Sequence, residues 1–223
     1  MQIYKNLRST INRTFPFSLL PLPYRRDAFE KDFCSEEVFQ YHVDKHHLTY
    51  CMKLNSLLEE DKYHDLKQLS LESLISQSLK KDLTLVFNNA AQLWNHDFLW
   101  FCITPDNKQN RENYDIFQKI ALQYGSWEKF ATLFIEKSLA QFGSGWSWLT
   151  LRENTLSIET TSNATTPIAQ NAFPIFTCDL WEHAYYLIFK NNRKEYVEKF
   201  LQHLNWQQLE QNYLYLKNLS HHK

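Results

Sequence analysis

At 223 residues the chain is long enough to bury a real core, as one domain or two small ones. Its 43% hydrophobic and 22% charged residues are those of an ordinary soluble globular protein, and a net charge of −1 lacks the basic surplus of a nucleic-acid binder. No apolar run approaches the roughly 18 residues that would span a bilayer, and four scattered cysteines without a C-x-x-C pair form neither a disulfide framework nor a thiolate zinc site.

Residues 1–15 carry Lys5, Arg8 and Arg13, no acidic residue, and Ile3, Leu7 and Ile11 at helical spacing. That pattern suits a mitochondrial transit peptide and equally a plain extension, so residues 1–19 read as an appended segment. The compartment is then the mitochondrial matrix if residues 1–15 are a targeting signal, or a bacterial cytoplasm if they are not. Pro16, Pro21 and Pro23 predict an extended lead-in, because proline biases its predecessor away from helix.

Ser35 before Glu36 and Glu37 predicts a helix start, with a hydroxyl cap and acids at the positive end of the dipole. The helix should run to about Leu58 and place His42, His46 and Tyr50 in one stripe at i, i+4 and i+8. Glu59 to Asp65 reads as a charged loop, and Leu66 to Leu79 as a short helix. From Leu83 to Cys102 a second strong helix puts Gln92 and His96 on one face, with Trp100 following. Two helices that each carry polar groups on an apolar stripe predict an antiparallel hairpin with a polar site in its seam.

Pro105 ends that hairpin, and Asp106–Asn113 is a polar linker, which sets domains at 20–105 and 106–223. Beyond it, Tyr114–Tyr124 and Trp127–Gln141 read as helices separated by Gly125, a C-cap. After a turn at Gly143-Ser144-Gly145, Trp146–Leu151 and Leu156–Thr161 alternate at period two and should pair across Arg152–Thr155. Pro174–Cys178 is a third strand that delivers Asp179, and helical segments follow to about Asn218. The fold class is α+β: an N-terminal antiparallel helical hairpin, then a C-terminal α/β domain with a three-stranded antiparallel sheet.

Asp179 and His183 are four apart, so on a helix they would share a side, as half of a metal site or as an exposed ion pair. Together with His42 and His96 they make a set of three imidazoles and a carboxylate. That set lacks sulfur and suits iron, manganese or zinc.

Four stretches in order carry a resemblance: Tyr41-His42 with Lys45-His46-His47-Leu48-Thr49-Tyr50; Phe87 to His96; Phe142 to Trp146; and Asp179 to Tyr186. Together they resemble the iron/manganese superoxide dismutase family, from about Leu20 to about Asn218. The resemblance implies that His42, His96, Asp179 and His183 are the metal ligands, with a fifth position for solvent. It implies that Gln92 hydrogen-bonds that solvent and that Tyr50 and His46 stand at the mouth of a substrate funnel. Trp94, Trp146 and Trp181 would form the aromatic wall, and Lys45 and Arg193 the basic residues that attract superoxide.

Gln92 on the helix of the second histidine, with Ala164 where the manganese type has its glutamine, resembles the iron type. One iron per subunit is therefore expected, with manganese as the alternative. The resemblance further implies a two-fold homodimer, or a tetramer built from it, with no nucleic-acid or membrane partner. In it Glu182 reaches the partner's counterpart of His183, and His46 and Tyr186 meet across the interface. The chain departs from the family's pattern at Val43-Asp44, Thr165 and Lys194 and in a glycine-poor loop after Pro105, which bears on local geometry and leaves every ligand in place. A non-catalytic relative of the same fold would be expected to have lost ligands.

Overall fold

The computed structural model describes residues 13–29, 33–106, 108–170 and 172–220; the amphipathic pattern expected over residues 1–15 therefore lies, up to residue 12, outside the described residues. The first helical rod begins as α1 (Glu36–Tyr41) where Ser35 accepts from the Val38 N–H at 3.4 Å. It passes through a π-helical turn (His42–His47) and continues as α2 (Leu48–Glu59). The sequence predicts an unbroken α-helix here. The π turn, closed by i→i+5 bonds, is wound more loosely than an α turn, which brings the residue five on nearer the same face; His42 and His47 are both buried, 2% and 1% exposed. Asp44 lies in this turn and pairs with Arg26 of the lead-in through two bonds of 2.5 and 2.6 Å.

The expected loop after the rod is a 3₁₀ helix (Asp61–Leu66), and the following helix α3 (Leu71–Lys80) starts later than periodicity suggests. Its start is set by Ser70, whose hydroxyl accepts from the Ser73 N–H at 3.3 Å. Helix α4 (Thr84–Cys102) is buried at nearly every position from Val86 onward. A helix buried on every side belongs at a centre, and α4 packs against α2 and α3 and against β3 of the sheet.

Helices α5 (Asp115–Tyr124) and α6 (Trp127–Ala140) are separated by Gly125 at φ +89°, a left-handed C-cap that glycine adopts without steric cost. Strands β1 (Gly145–Arg152), β2 (Thr155–Ser162) and β3 (Phe173–Asp179) form an antiparallel sheet in the order β2-β1-β3. Glu153 and Asn154 both take positive φ, 46° and 62°, which fits a two-residue hairpin turn of the I′ kind. Register sets Trp146 opposite Asp179. Gly145 is required at the strand start, since a Cβ there would lie 2.2 Å from the Thr161 carbonyl oxygen. The chain ends in α7 (Glu182–Phe189), α8 (Arg193–Gln202) and α9 (Trp206–Ser220). Among the described residues no helix is long and apolar enough to cross a membrane.

Residues 13–19, assigned from the sequence to an extension, lie against the helical domain. Phe17 is buried, its N–H donates to Asn55 Oδ1 at 2.8 Å, and its carbonyl accepts from Asn55 Nδ2 at 2.8 Å. Arg13 pairs with the buried Asp97 on α4. Nearby, Glu72 at the start of α3 accepts from the Trp94 indole at 3.0 Å, and its other carboxylate oxygen is buried without a partner. Burial is the main cause that raises the Glu72 pKa from 4.5 to about 7, opposed by the Trp94 bond and by Arg13.

A carboxyl whose folded pKa exceeds its unfolded one holds its proton more tightly when folded. Its contribution is therefore full below about pH 4.5 and falls as pH rises through about 7. Replacing Glu72 with Gln should flatten that part of the stability profile, by an amount of the order of a few kcal/mol. Urea unfolding of the metal-free protein from pH 4 to 8 measures it; parallel profiles for the two proteins would assign the pH dependence elsewhere.

Candidate metal centre

Four elements deliver the four candidate ligands. His42 opens the π turn, His96 lies in the middle of α4, Asp179 ends β3, and His183 sits in the first turn of α7. Asp179 and His183 do not share a helix, as an i, i+4 reading would have it: Trp181 is the extended N-cap residue between strand and helix. The turn itself brings them together, and the Trp181 N–H donates to Asp179 Oδ1 at 2.8 Å, which leaves Oδ2 facing the histidines.

Asp179 Oδ2 lies 3.1 Å from His42 Nε2, 3.2 Å from His183 Nε2 and 3.6 Å from His96 Nε2. All four ligand atoms fall within 4.8 Å of one another. Atoms each ~2.1 Å from a common centre and ~90–120° apart would be separated by ~3.0–3.6 Å; the three Asp179 distances match that range, and the wider-set histidine nitrogens would draw in by a few tenths of an ångström around one ion. The His96 ring carries its proton on Nδ1, which donates to the Gln92 carbonyl at 2.7 Å. Its Nε2 is thereby a bare lone pair, buried without a partner, as a ligand atom should be.

Electrostatics agree with that donor set. Burial lowers the His42 pKa to about 4 against the pull of Asp179. Burial, and then His42, put His96 well below the usual imidazole range. Burial alone would raise the Asp179 carboxyl, but His183 and His42 outweigh it and hold it below the ordinary carboxylate range. At neutral pH His42 and His96 thus offer lone pairs and Asp179 a full negative charge. A cation bound there would be met by charge and by donors of the type iron, manganese and zinc accept.

Gln92 lies one turn before His96 and is 2% exposed. Its Oε1 accepts from the Trp146 indole at 3.1 Å, and its Nε2 is buried without a partner. Tyr50 packs on His96 with ring centroids 5.3 Å apart, and burial raises its pKa while Gln92, beside its hydroxyl, opposes the rise. His46 stacks on His183 at 4.1 Å, and Lys45 points to solvent. Arg193 donates to Tyr185 Oη at 3.2 Å and to the Gln141 and Gly143 carbonyls at 2.9 and 3.1 Å, so it fastens the turn before β1. Glu182 and Tyr186 are exposed beside His183.

Of the three expected wall tryptophans, Trp146 meets the His96 ring edge to face at 5.0 Å, and Trp181 stacks on His183 at 5.6 Å. Trp94 points elsewhere, to Phe98 and Glu72. Residues two apart on a helix face opposite sides, whereas residues four apart share one. Trp100, four after His96, accordingly meets the His42 ring at 4.8 Å. His47, which stacks on His96 at 5.2 Å, was hidden from an α-helical reading by the π turn. Ala164 is buried, and its carbonyl accepts from Asn95 on α4 at 3.3 Å.

Comparison with known proteins agrees with this architecture. Residues 16–104 match the family model for the alpha-hairpin domain of iron/manganese superoxide dismutases, and residues 111–212 match that for their C-terminal domain. A protein of Rickettsia typhi named superoxide dismutase [Mn/Fe] is 41% identical over 206 residues, covering 92% of this chain and 97% of its own length. Proteins named superoxide dismutase [Fe] from Leptolyngbya boryana and Escherichia coli are each 40% identical, over 198 and 192 residues, covering 88% and 86% of this chain and 98% and 95% of their own lengths. With both halves of the chain matched in order and the four-residue cluster folded together, the chain belongs to the iron/manganese superoxide dismutase family.

Proposed function

We propose that this chain dismutes superoxide, turning two superoxide anions and two protons into dioxygen and hydrogen peroxide, with one iron ion per subunit held by His42, His96, Asp179 and His183. The observation that carries the reading is the convergence of those four atoms within 4.8 Å, with the unpartnered His96 Nε2 among them. A redox metal bound there supplies the electron that one superoxide leaves and the next one takes.

The rest of the work belongs to the chain. Trp100, Trp146 and Trp181 exclude water around the imidazoles, which keeps the local dielectric low and strengthens each polar contact. Gln92 presents an amide N–H beside the ligands, held in orientation by the Trp146 indole on its oxygen. Tyr50 beside Gln92 provides a hydroxyl through which a proton reaches the buried site, and His46 stands next to His183 on the outer side. Lys45 supplies positive charge at the surface, and Arg193 adds to it while its donors hold the turn, which favours encounter with a small anion despite a net charge near zero. Iron is favoured over manganese because the glutamine comes from α4 and Ala164 occupies the alternative position.

The functional unit is inferred to be an isologous homodimer. Among the described residues no acceptor meets the second ring nitrogen of His183, although a ligating histidine usually has one. Glu182, Tyr186, Tyr41, His46, His183 and Leu187 line an open cleft of about 320 Å³. A second copy placed there would bring its Glu182 to this His183.

Three measurements test these readings. Metal analysis with a superoxide assay should find iron and activity in the purified chain, and neither in His96→Ala; a variant that retains both would remove α4 from the site, and manganese in the active protein would refute the metal choice. Gln92→Leu should retain metal and lose about 10–100-fold in activity, with a shifted potential; unaltered turnover would make Gln92 core packing alone. Glu182→Ala should leave two ring N–H groups unpaired per dimer at about 1–3 kcal/mol each, weakening dimerisation and metal retention together in sedimentation and chelator competition. Full activity in a monomeric wild-type chain would refute the dimer.

A further inference from the structure

One buried ion pair has no place in the reaction as described. Asp97, next in sequence to the ligand His96, has a side chain 2% exposed and pairs with Arg13, whose side chain is 13% exposed. Arg13 also donates to the Ser18 carbonyl, and the Leu20 N–H donates to Asp97 Oδ1 at 3.3 Å. The arm over residues 13–20 thus closes on the carboxylate from two sides. Arg13 lies ahead of residue 16, where the match to the family model begins.

From Asp97 the contacts run inward. Trp100 Nε1–H donates to His47 Nδ1 at 3.2 Å, which requires the His47 proton to sit on Nε2. That N–H donates to the Leu93 carbonyl at 3.3 Å, with Asp97 Oδ1 3.4 Å away. The His47 ring, pinned at both nitrogens, stacks on the ligand His96 with planes 19° apart. Trp100, pinned by His47, meets the ligand His42 at 73°. Two of the three ligand rings therefore rest on groups whose orientation leads back to one carboxylate.

We propose that Arg13 is a positioning residue for the metal centre: by clamping Asp97 it fixes His47 and Trp100, and through them the planes of His96 and His42. A carboxylate buried this deeply has no solvent to hold it and takes its place from its cationic partner. Without Arg13, Asp97 loses its fixed rotamer, and His47 loses the charge that faces its Nε2–H. The inference rests on the metal-centre reading and adds to it a control element at the start of the chain.

The test uses the full-length chain loaded with iron and compares Arg13→Met, Arg13→Lys and the double variant Arg13→Met/Asp97→Asn. The double variant leaves no lone buried charge, and so keeps the question open to measurement if Arg13→Met alone does not fold. The readouts are the rhombicity of the ferric electron paramagnetic resonance spectrum, the midpoint potential, and iron retention against a chelator. Arg13→Met and the double variant should change the spectrum and the potential and hold iron about tenfold more weakly, the lower end of the effect of an outer partner. Arg13→Lys, which retains the charge, should restore all three toward wild type. If the variants that fold keep the wild-type spectrum and potential and lose only thermal stability, the arm is an anchor and the proposal is overturned. An unsubstituted chain that takes up no iron refutes the metal centre itself, and this inference with it.

Discussion

The Asp179 carboxylate is the constraint around which the molecule is arranged. It sits at the last residue of β3 with no exposure, where a lone charge costs several kcal/mol. The chain answers with the Trp181 N–H on one oxygen and sets three imidazoles around the other, so that oxygen and the ring lone pairs face one point where a cation would be held. Each imidazole arrives on a different helical element, so assembling this site draws together the first rod, α4 and α7 against the sheet. A bound cation would complete the neutralisation, which ties metal binding to the stability of the folded state.

Helix α4 is the second element of that arrangement, because it serves several neighbours at once. Gln92, His96 and Trp100 share the face turned to the site, while Trp94 and Asp97 face the arm and α3. A helix with no solvent face cannot vary one side without disturbing another. The Glu72–Trp94 bond and the Arg13–Asp97 pair are therefore close in chain to the candidate ligand His96 although neither touches it. The exposed ends of the elements are settled locally: Asp44 finds Arg26, and the Asn192 side chain caps α8.

The tryptophans do more than fill volume. Trp146 aligns Gln92 through its indole N–H, Trp100 aligns His47, and Trp181 ties the strand-to-helix turn to the Asn163 carbonyl at 3.2 Å. Each ring thus contributes an apolar face to the site and a donor to its support, the combination that makes buried tryptophan useful where a polar centre must stay dry.

By itself the sequence determined most of this. Apolar periodicity marked the long helices; Ser35, Gly125 and the residues between β1 and β2 marked where elements start and turn, because caps and tight turns depend on local chemistry alone. The four residues of the candidate metal cluster, and Gln92 one turn before His96, stood out by spacing and by motif resemblance, and the structure brings those four together. Only the tertiary structure decided what depends on a non-ideal backbone or on a distant partner. The π turn at His42–His47 buries His47, where an α-helical period would turn it away. The Asp179–His183 approach comes from a strand-to-helix corner rather than a helix face. Arg13 looked like one more cation of an appended segment until its partner, 84 residues on, was in place. Local sequence carries no record of such contacts, because the energy that fixes them is released only when both partners lose water together.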